Sequence, residues 1–223
     1  MRGYGSNIEL NRHALYRVVK TAQYLKVYYR TVGIDVYTEG YVESCTVTNF
    51  SELVNGQISI ICPDPYWYSM QPIYAYSQSV FGAFHFPFPE SDEPFPLGVY
   101  STDKTLSIFN SGEEVGILIT LEAASGEDVL NPVTTAVALY DDDTSTYFQL
   151  RLDILPGDKI IINTKQGQKS VTLVRDGVTT NIINCMTSGS TWFTLRKGLN
   201  RYRLSAPKYI TATIQHTDAY LGV

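Results

Sequence analysis

ICPDPYWYSM, residues 61–70, decides how the chain divides. A β-branched apolar run stops there at two prolines spaced by one aspartate and gives way to an aromatic cluster. Pro63 and Pro65 donate no backbone hydrogen bond and bias the residues before them to extended conformations, so a strand ending at Ile61 or Cys62 must leave its sheet. The stretch reads as a strand exit into a stiff connector.

Upstream, Ala14, Leu15, Val18, Val19 and Ala22 recur at helical spacing. They predict one amphipathic helix from Asn11, a candidate N-cap, to about Ala22, with Arg12, Arg17 and Lys20 on the other side. From Tyr24 the period becomes two, and Thr31-Val32-Gly33 turns the chain into Ile34–Tyr37, a hairpin. Further strands are predicted at about 40–48 and 57–62. A helix and a small antiparallel sheet over residues 1–64 bury too little surface to stand alone comfortably, so something outside the chain is expected to complete this unit. Along the hairpin's more polar face, Tyr24, Tyr28 and Arg30 are candidate contact residues.

Downstream, residues 65–100 form a connector by composition. Pro63, Pro65, Pro72, Pro87, Pro89, Pro94 and Pro96 fall in or beside it, with aromatics between them. Phe81, Phe84, Phe86, Phe88 and Phe95 are too apolar for a solvated linker and are expected to lie against a surface. Pro63, Asp64, Pro65, Tyr66 and Trp67, with Phe84, Phe86 and Phe88, are the candidate connector and interface residues. Residues 101–223 then read as about ten short strands rich in Val, Ile, Thr and aromatics, from LSIFN to YITATIQH, divided by turn-forming stretches such as SG, PGD and DG. No repeat is visible, and the pattern implies an antiparallel β-sandwich with Ile117, Ile119 and Leu121 facing inward. The fold class is mainly β.

The 223 residues are 44% hydrophobic, 17% charged and 13% aromatic, with 17 Tyr, a composition that suits sheets and interfaces in a globular chain. A formal charge of −5 without a basic stripe argues against binding the nucleic-acid backbone. There is no apolar run of membrane-spanning length and no secretory apolar core at the N-terminus. Cys45, Cys62 and Cys185 are odd in number and widely spaced, and are expected to be buried free thiols in a reducing compartment.

His13, His85 and His216 lack any partner at a motif spacing, and Gly-rich phosphate loops are missing, so neither an enzyme nor a cofactor is expected. Asp141, Asp142 and Asp143 lie in one turn, where three consecutive carboxylates seldom converge on a cation, and are expected to be solvated; no metal is expected. Alternation puts Trp192 and Thr194 on one face and Phe193 and Leu195 on the other, so one of the two aromatics can be exposed. It is the candidate stacking residue of an alternative reading, a carbohydrate-binding sandwich for host-surface or polysaccharide recognition.

Three stretches carry a resemblance. VYTEGYVESCTVTNF leads into GQISIICPDPYWYS; LSIFNSGEEVGILITLEAASGEDVLNPV is followed by LPGDKIIINTKQGQKSVTL; and TWFTLRKGLNRYRLSA follows later. Together they resemble the distal tail proteins of long-tailed phages, the siphovirus-type tail components. The resemblance implies a ring-forming α+β N-terminal domain followed by a peripheral galectin-like β-sandwich. It also implies a homo-hexamer in the virion tail tip or baseplate, assembled in the bacterial host cytoplasm between the tail tube protein and the tail hub, and able to carry a receptor-binding protein. No catalysis, membrane contact or direct nucleic-acid binding is implied. Proteins of this type normally carry several strands before the helix placed here near Asn11, so the chain is expected to begin inside the first domain. The negative charge fits a passage whose walls repel DNA phosphates.

Overall fold

The computed structural model describes residues 4–47, 56–77, 80–82, 98–100, 104–124, 134–207 and 209–222. It forms two compact units, Met1–Met70 with Ala219–Val223, and Gln71–Asp218, so the chain passes between them twice. Phe84, Phe86, Phe88 and Phe95 lie outside the described residues, as does the side chain of Phe81.

The first unit holds helix α1 (Tyr4–Val18) and strands β1 (Tyr24–Arg30), β2 (Asp35–Val47), β3 (Gly56–Ile61) and β4 (Trp67–Ser69). The helix starts and stops earlier than its apolar spacing predicted. Asn11 is interior to it, not its cap, and Ala22 sits at φ 62°, a left-handed conformation that cannot continue a helix. The Ala22 N–H is instead donated to the Val42 carbonyl at 2.8 Å. The predicted apolar face is also split: Leu15 and Val19 are half-buried, whereas Ala14 and Val18 are exposed.

The hairpin forms as expected, with Tyr24–Arg30 paired to Asp35–Tyr41. Its turn is closed twice, by Thr31 N–H to the Ile34 carbonyl at 2.7 Å and by Ile34 N–H to Thr31 Oγ1 at 3.1 Å. β2 then runs on unbroken to Val47, where two strands were predicted, and β3 pairs with its second half. The last strand of this sheet comes from the far end of the chain: Ala219 and Tyr220 pair with Tyr68 and Trp67.

In the second unit the stretch expected to be connector contributes strands at both its ends. β5 (Ile73–Tyr76) is the edge of a sheet, and β6 (Val80–Gly82) pairs with β7 (Gly98–Tyr100). The other strands are β8 (Lys104–Asn110), β9 (Val115–Gly116), β10 (Leu118–Ala123), β11 (Thr134–Asp141), β12 (Thr146–Asp153), β13 (Lys159–Asn163), β14 (Ser170–Arg175), β15 (Val178–Asn181), β16 (Thr194–Leu195), β17 (Gly198–Ser205) and β18 (Ile210–His216). With β5 they make a six-stranded sheet, β15-β14-β13-β10-β18-β5, a four-stranded sheet, β12-β11-β17-β8, and the separate pair β16-β9, with every pairing antiparallel.

Period-two alternation puts Ile119, Leu121, Ile162 and Ile214 of the first sheet into one core with Leu139, Phe148, Leu150 and Leu204 of the second. Each such side chain, fully buried, contributes about 1.5–3 kcal/mol. Ile117, Ile119 and Leu121 face inward as predicted. Two predicted strands shrink. TNIINC keeps only its start in β15 before a 3-10 turn at Ile183–Cys185, and TWFTLRKG is broken up: Thr194 and Leu195 pair with β9, while Gly198 already opens β17 opposite Asn110. The three cysteines are free but half-buried, not buried.

Buried charge in this unit is paired. Asp158 receives a fork from Arg175, Nε to Oδ1 at 2.8 Å and Nη2 to Oδ2 at 2.6 Å, and the Leu155 N–H at 2.7 Å. Burial alone would raise the Asp158 pKa, but these donors hold it below the usual carboxylate range. Lys104 is buried and donates to the carbonyls of Pro207, at 2.9 Å, and Ile210, pinning that turn to β8; burial pushes its pKa down.

His216, also buried, holds Asp218 Oδ1 through Nε2 at 3.0 Å, while Nδ1 has no partner among the described residues. A second ring proton would have no acceptor there, and burial lowers the imidazole pKa against the opposing pull of Asp218. The folded chain therefore binds this proton more weakly than the unfolded chain. Stability falls as pH drops through the unfolded value of about 6.5, and the fall ends below the folded one. In urea unfolding followed by Trp192 fluorescence in a Trp67→Phe background, the chain should lose up to about 1.4 kcal/mol per pH unit within pH 7.5 to 5.5. The His216→Gln variant, which keeps a donor toward Asp218, should be nearly flat over the same range.

Candidate interaction surface

The ICPDPYWYS stretch is a detour along one edge of β2. Ile61 lies opposite Tyr41 and Tyr68 opposite Tyr37, so six residues, 62–67, span the length of three, 38–40. Pro63 and Pro65 occupy positions without a ladder partner, where a missing N–H costs nothing. Asp64 between them folds the excess: its Oδ1 accepts the Tyr66 N–H at 3.3 Å and its Oδ2 accepts the Tyr68 hydroxyl at 2.6 Å. Burial and this carboxylate push the Tyr68 pKa up. Gly40 makes room for the detour, since a Cβ there would stand 2.5 Å from the Ile61 carbonyl oxygen and 3.0 Å from Cys62 Sγ. The strand exit predicted at Ile61 is thus present, but the chain comes back to the strand it left.

The ladder gathers Tyr24, Tyr28 and Arg30 on one face. Their cross-strand partners are Tyr41, Tyr37 and Asp35, and Tyr68 joins beside Tyr37. Tyr24, Tyr28 and Tyr41 are 52%, 54% and 48% exposed. The rings touch in sequence, Tyr24 to Tyr41 at 5.2 Å, Tyr28 to Tyr37 at 6.4 Å, Tyr37 to Tyr68 at 5.9 Å and Tyr68 to Tyr66 at 6.4 Å.

Charge on this face is satisfied internally. Lys26 Nζ lies 3.4 Å from Glu39 and 3.5 Å from the Tyr37 ring centroid, and Arg30 Nε is 3.1 Å from Asp35 Oδ1. Tyr24 donates its hydroxyl to Glu39, which pushes the phenol pKa up to about 12 and lowers that of the carboxyl. Trp67, one residue out of phase, turns to the other face and meets Tyr29 at 6.2 Å. Tyr37, Glu39 and Tyr41 escaped the sequence reading, although the alternation in VYTEGY carried the signal for all three.

Two further features of this unit are open. β1 ends its sheet, with no strand on its outer edge among the described residues. On α1, Leu10, Ala14 and Val18 form an exposed stripe at four-residue spacing.

In the second unit the aspartate turn is solvated at Asp142 and Asp143, as expected, but not at Asp141. Asp141 is buried, accepts the N–H groups of Asp143 and Thr144 at 3.0 and 3.2 Å, and binds Arg196 Nη2 at 3.2 Å; Arg203 holds Asp142 at 3.3 Å. The three carboxylates are consumed by two guanidinium groups. No cluster of three His, Cys, Asp or Glu able to hold a metal occurs among the described residues. Trp192 is half-buried, packed on Phe148 at 5.3 Å, with Lys169 Nζ 5.7 Å from its ring centroid.

Residues 127–220 match the siphovirus-type tail component, C-terminal domain. Two solved structures of the phage P2 baseplate in its activated conformation, with Ca and with Sr, are similar at 14% sequence identity, with TM-scores of 0.46 and 0.45. Each comparison covers 97% of this chain and 76% of the other. No curated protein sequence matches. The tail component match takes in β11 to β18 and ends at Tyr220, inside the strand pair that closes the first unit.

The detour is the most exacting local fit in the tyrosine sheet. The Gly40→Ala variant should lose about 1–3 kcal/mol, because its new methyl runs first into the Ile61 backbone carbonyl, which cannot swing aside as a side chain can. Gly33→Ala, whose Cβ meets nothing within 4 Å, should stay within about 0.5 kcal/mol of the parent. Chemical denaturation followed by Trp67 fluorescence in a Trp192→Phe background checks both.

Proposed function

We propose that the chain is a non-enzymatic structural protein of a phage tail tip or baseplate. In this reading six copies form a ring that joins the tail tube to the hub and carries the receptor-binding apparatus. The first unit supplies the subunit contacts and the second, a galectin-like sandwich, stands outside as an attachment platform. The proline-aromatic stretch between them links the two. The protein then resides in the virion after assembly in the host cytoplasm, with the tail tube protein, the hub and a receptor-binding protein as partners.

The observation that carries this reading is the tail component match over residues 127–220. It is supported by the first unit's open surfaces: an unpaired strand edge, an exposed apolar stripe on α1, and a tyrosine face whose charges are already paired. A tyrosine-rich surface with pre-paired charge suits protein contact, because rigid aromatic area is buried on association without stranding an ion. An edge strand offers its free N–H and C=O groups to a strand of a neighbour.

Light scattering and negative-stain imaging test the ring. The expected particle has about six times the 25.0 kDa chain mass, and the Tyr28→Asp/Val18→Asp double variant should dissociate it. A chain that remains at 25.0 kDa up to the highest soluble concentration would overturn the ring.

A further inference from the structure

The outer face of the six-stranded sheet carries an observation that assembly does not use. Tyr74 and Tyr76, two apart on edge strand β5, are 47% and 64% exposed, and their rings lie nearly parallel, 14° apart with centroids separated by 6.2 Å. The register extends each into a row across the sheet. Tyr76 is followed by Thr213, Thr120, Ile161 and Thr172, and Tyr74 by Gln215, Leu118, Asn163 and Ser170. Neither row contains a charged side chain. In the next row the charges are Glu122 and Lys159, which neutralise each other at 2.8 Å. In a chain with 22 acidic and 17 basic residues, a face of hydroxyls, amides and the aliphatic Ile161 and Leu118 with no net charge, ending in an exposed aromatic pair, is a marked departure from the average.

We infer that this face binds a neutral saccharide chain, with Tyr74 and Tyr76 as stacking platforms and Thr213 and Gln215 as its nearest hydrogen-bonding groups. The C–H faces of a pyranose are apolar enough to lie on a phenol ring, while its hydroxyls exchange hydrogen bonds with amides and hydroxyls that need no counter-charge. An anionic polymer would need unpaired cations, and these rows have none. The tyrosine pair also fits stacking better than Trp192 does, because the Trp192 ring is already packed on Phe148. The site lies in the second unit and stands whether or not the ring forms.

The test is calorimetric titration of the full chain with neutral hexasaccharides of glucose, galactose, rhamnose and N-acetylglucosamine, and with poly(glycerol phosphate). At least one neutral hexamer should bind saturably with a Kd below about 1 mM. Tyr76→Ala and Tyr74→Ala should each weaken it about three- to tenfold, the value of one aromatic contact. Tyr76→Phe should retain binding, since the ring remains, and Trp192→Phe should leave it unchanged. Absence of binding by all four hexamers would overturn the inference. So would binding of the anionic polymer alone, or neutral binding unaffected by both alanine variants. A change in particle mass by light scattering in the alanine variants, without saccharide binding by the parent, would make the face a protein contact and overturn it as well.

Discussion

The first unit depends on an odd number. Along β2, Val36, Thr38, Gly40 and Val42 are buried while Asp35, Tyr41 and Glu43 are exposed, so the residues paired to this half of β2, before the register shift between Val42 and Ser44, inherit that parity. Ile61 and Tyr68 both stand opposite outward residues, yet they are seven positions apart, and an uninterrupted strand would send them to opposite faces. The three surplus residues of the detour resolve the conflict. They turn Tyr68 outward beside Tyr37 and send Trp67 inward to Tyr29. A detour with an even surplus would expose the indole and bury the phenol whose hydroxyl Asp64 accepts. Pro63, Asp64, Pro65 and Gly40 are therefore one device: two residues that forgo ladder bonds, one that ties the slack, and one that yields space on the facing strand.

That device explains which parts of the fold were legible in the sequence. Alternation is local, so the hairpin, the long strands of the sandwich and the inward set Ile117, Ile119 and Leu121 could be read directly. The strand exit at Ile61 was legible because proline announces it, but its return was not, since return depends on three surplus residues matching a strand more than twenty positions away. The pairing of Ala219 with Tyr68 is further still from any local signal. The helix was misplaced for a related reason. Apolar spacing continues through Ala22, but the Val42 carbonyl captures the Ala22 N–H, and a tertiary bond overrides helical propensity.

Charge followed the same logic. Three consecutive aspartates look solvated in one dimension, and only the fold brings Arg196 and Arg203, more than fifty residues on, against them. The candidate surface was half legible. Tyr24, Tyr28 and Arg30 share a strand and a parity, so they could be grouped from the sequence. Their partners on β2 and β4 required the register.

The electrostatics of the two units also separate their responses to pH. On the tyrosine face the groups with shifted equilibria all move away from neutrality: Glu39 becomes a stronger acid, and Tyr24 and Tyr68 weaker ones. No histidine lies in that stretch of β1, β2 and β4. None of these three shifts brings a group of the face toward the physiological range. The shifted group nearest neutrality, His216, is in the other unit, and the Asp218 it holds is the last residue before the chain crosses back to supply Ala219 and Tyr220. Protonation of that imidazole places a buried charge and an unshared Nδ1 proton in the second unit, not on the tyrosine face. Acid should thus destabilise the second unit while leaving the groups of the tyrosine face chemically unchanged, a division that follows from where one buried ring nitrogen was left without an acceptor.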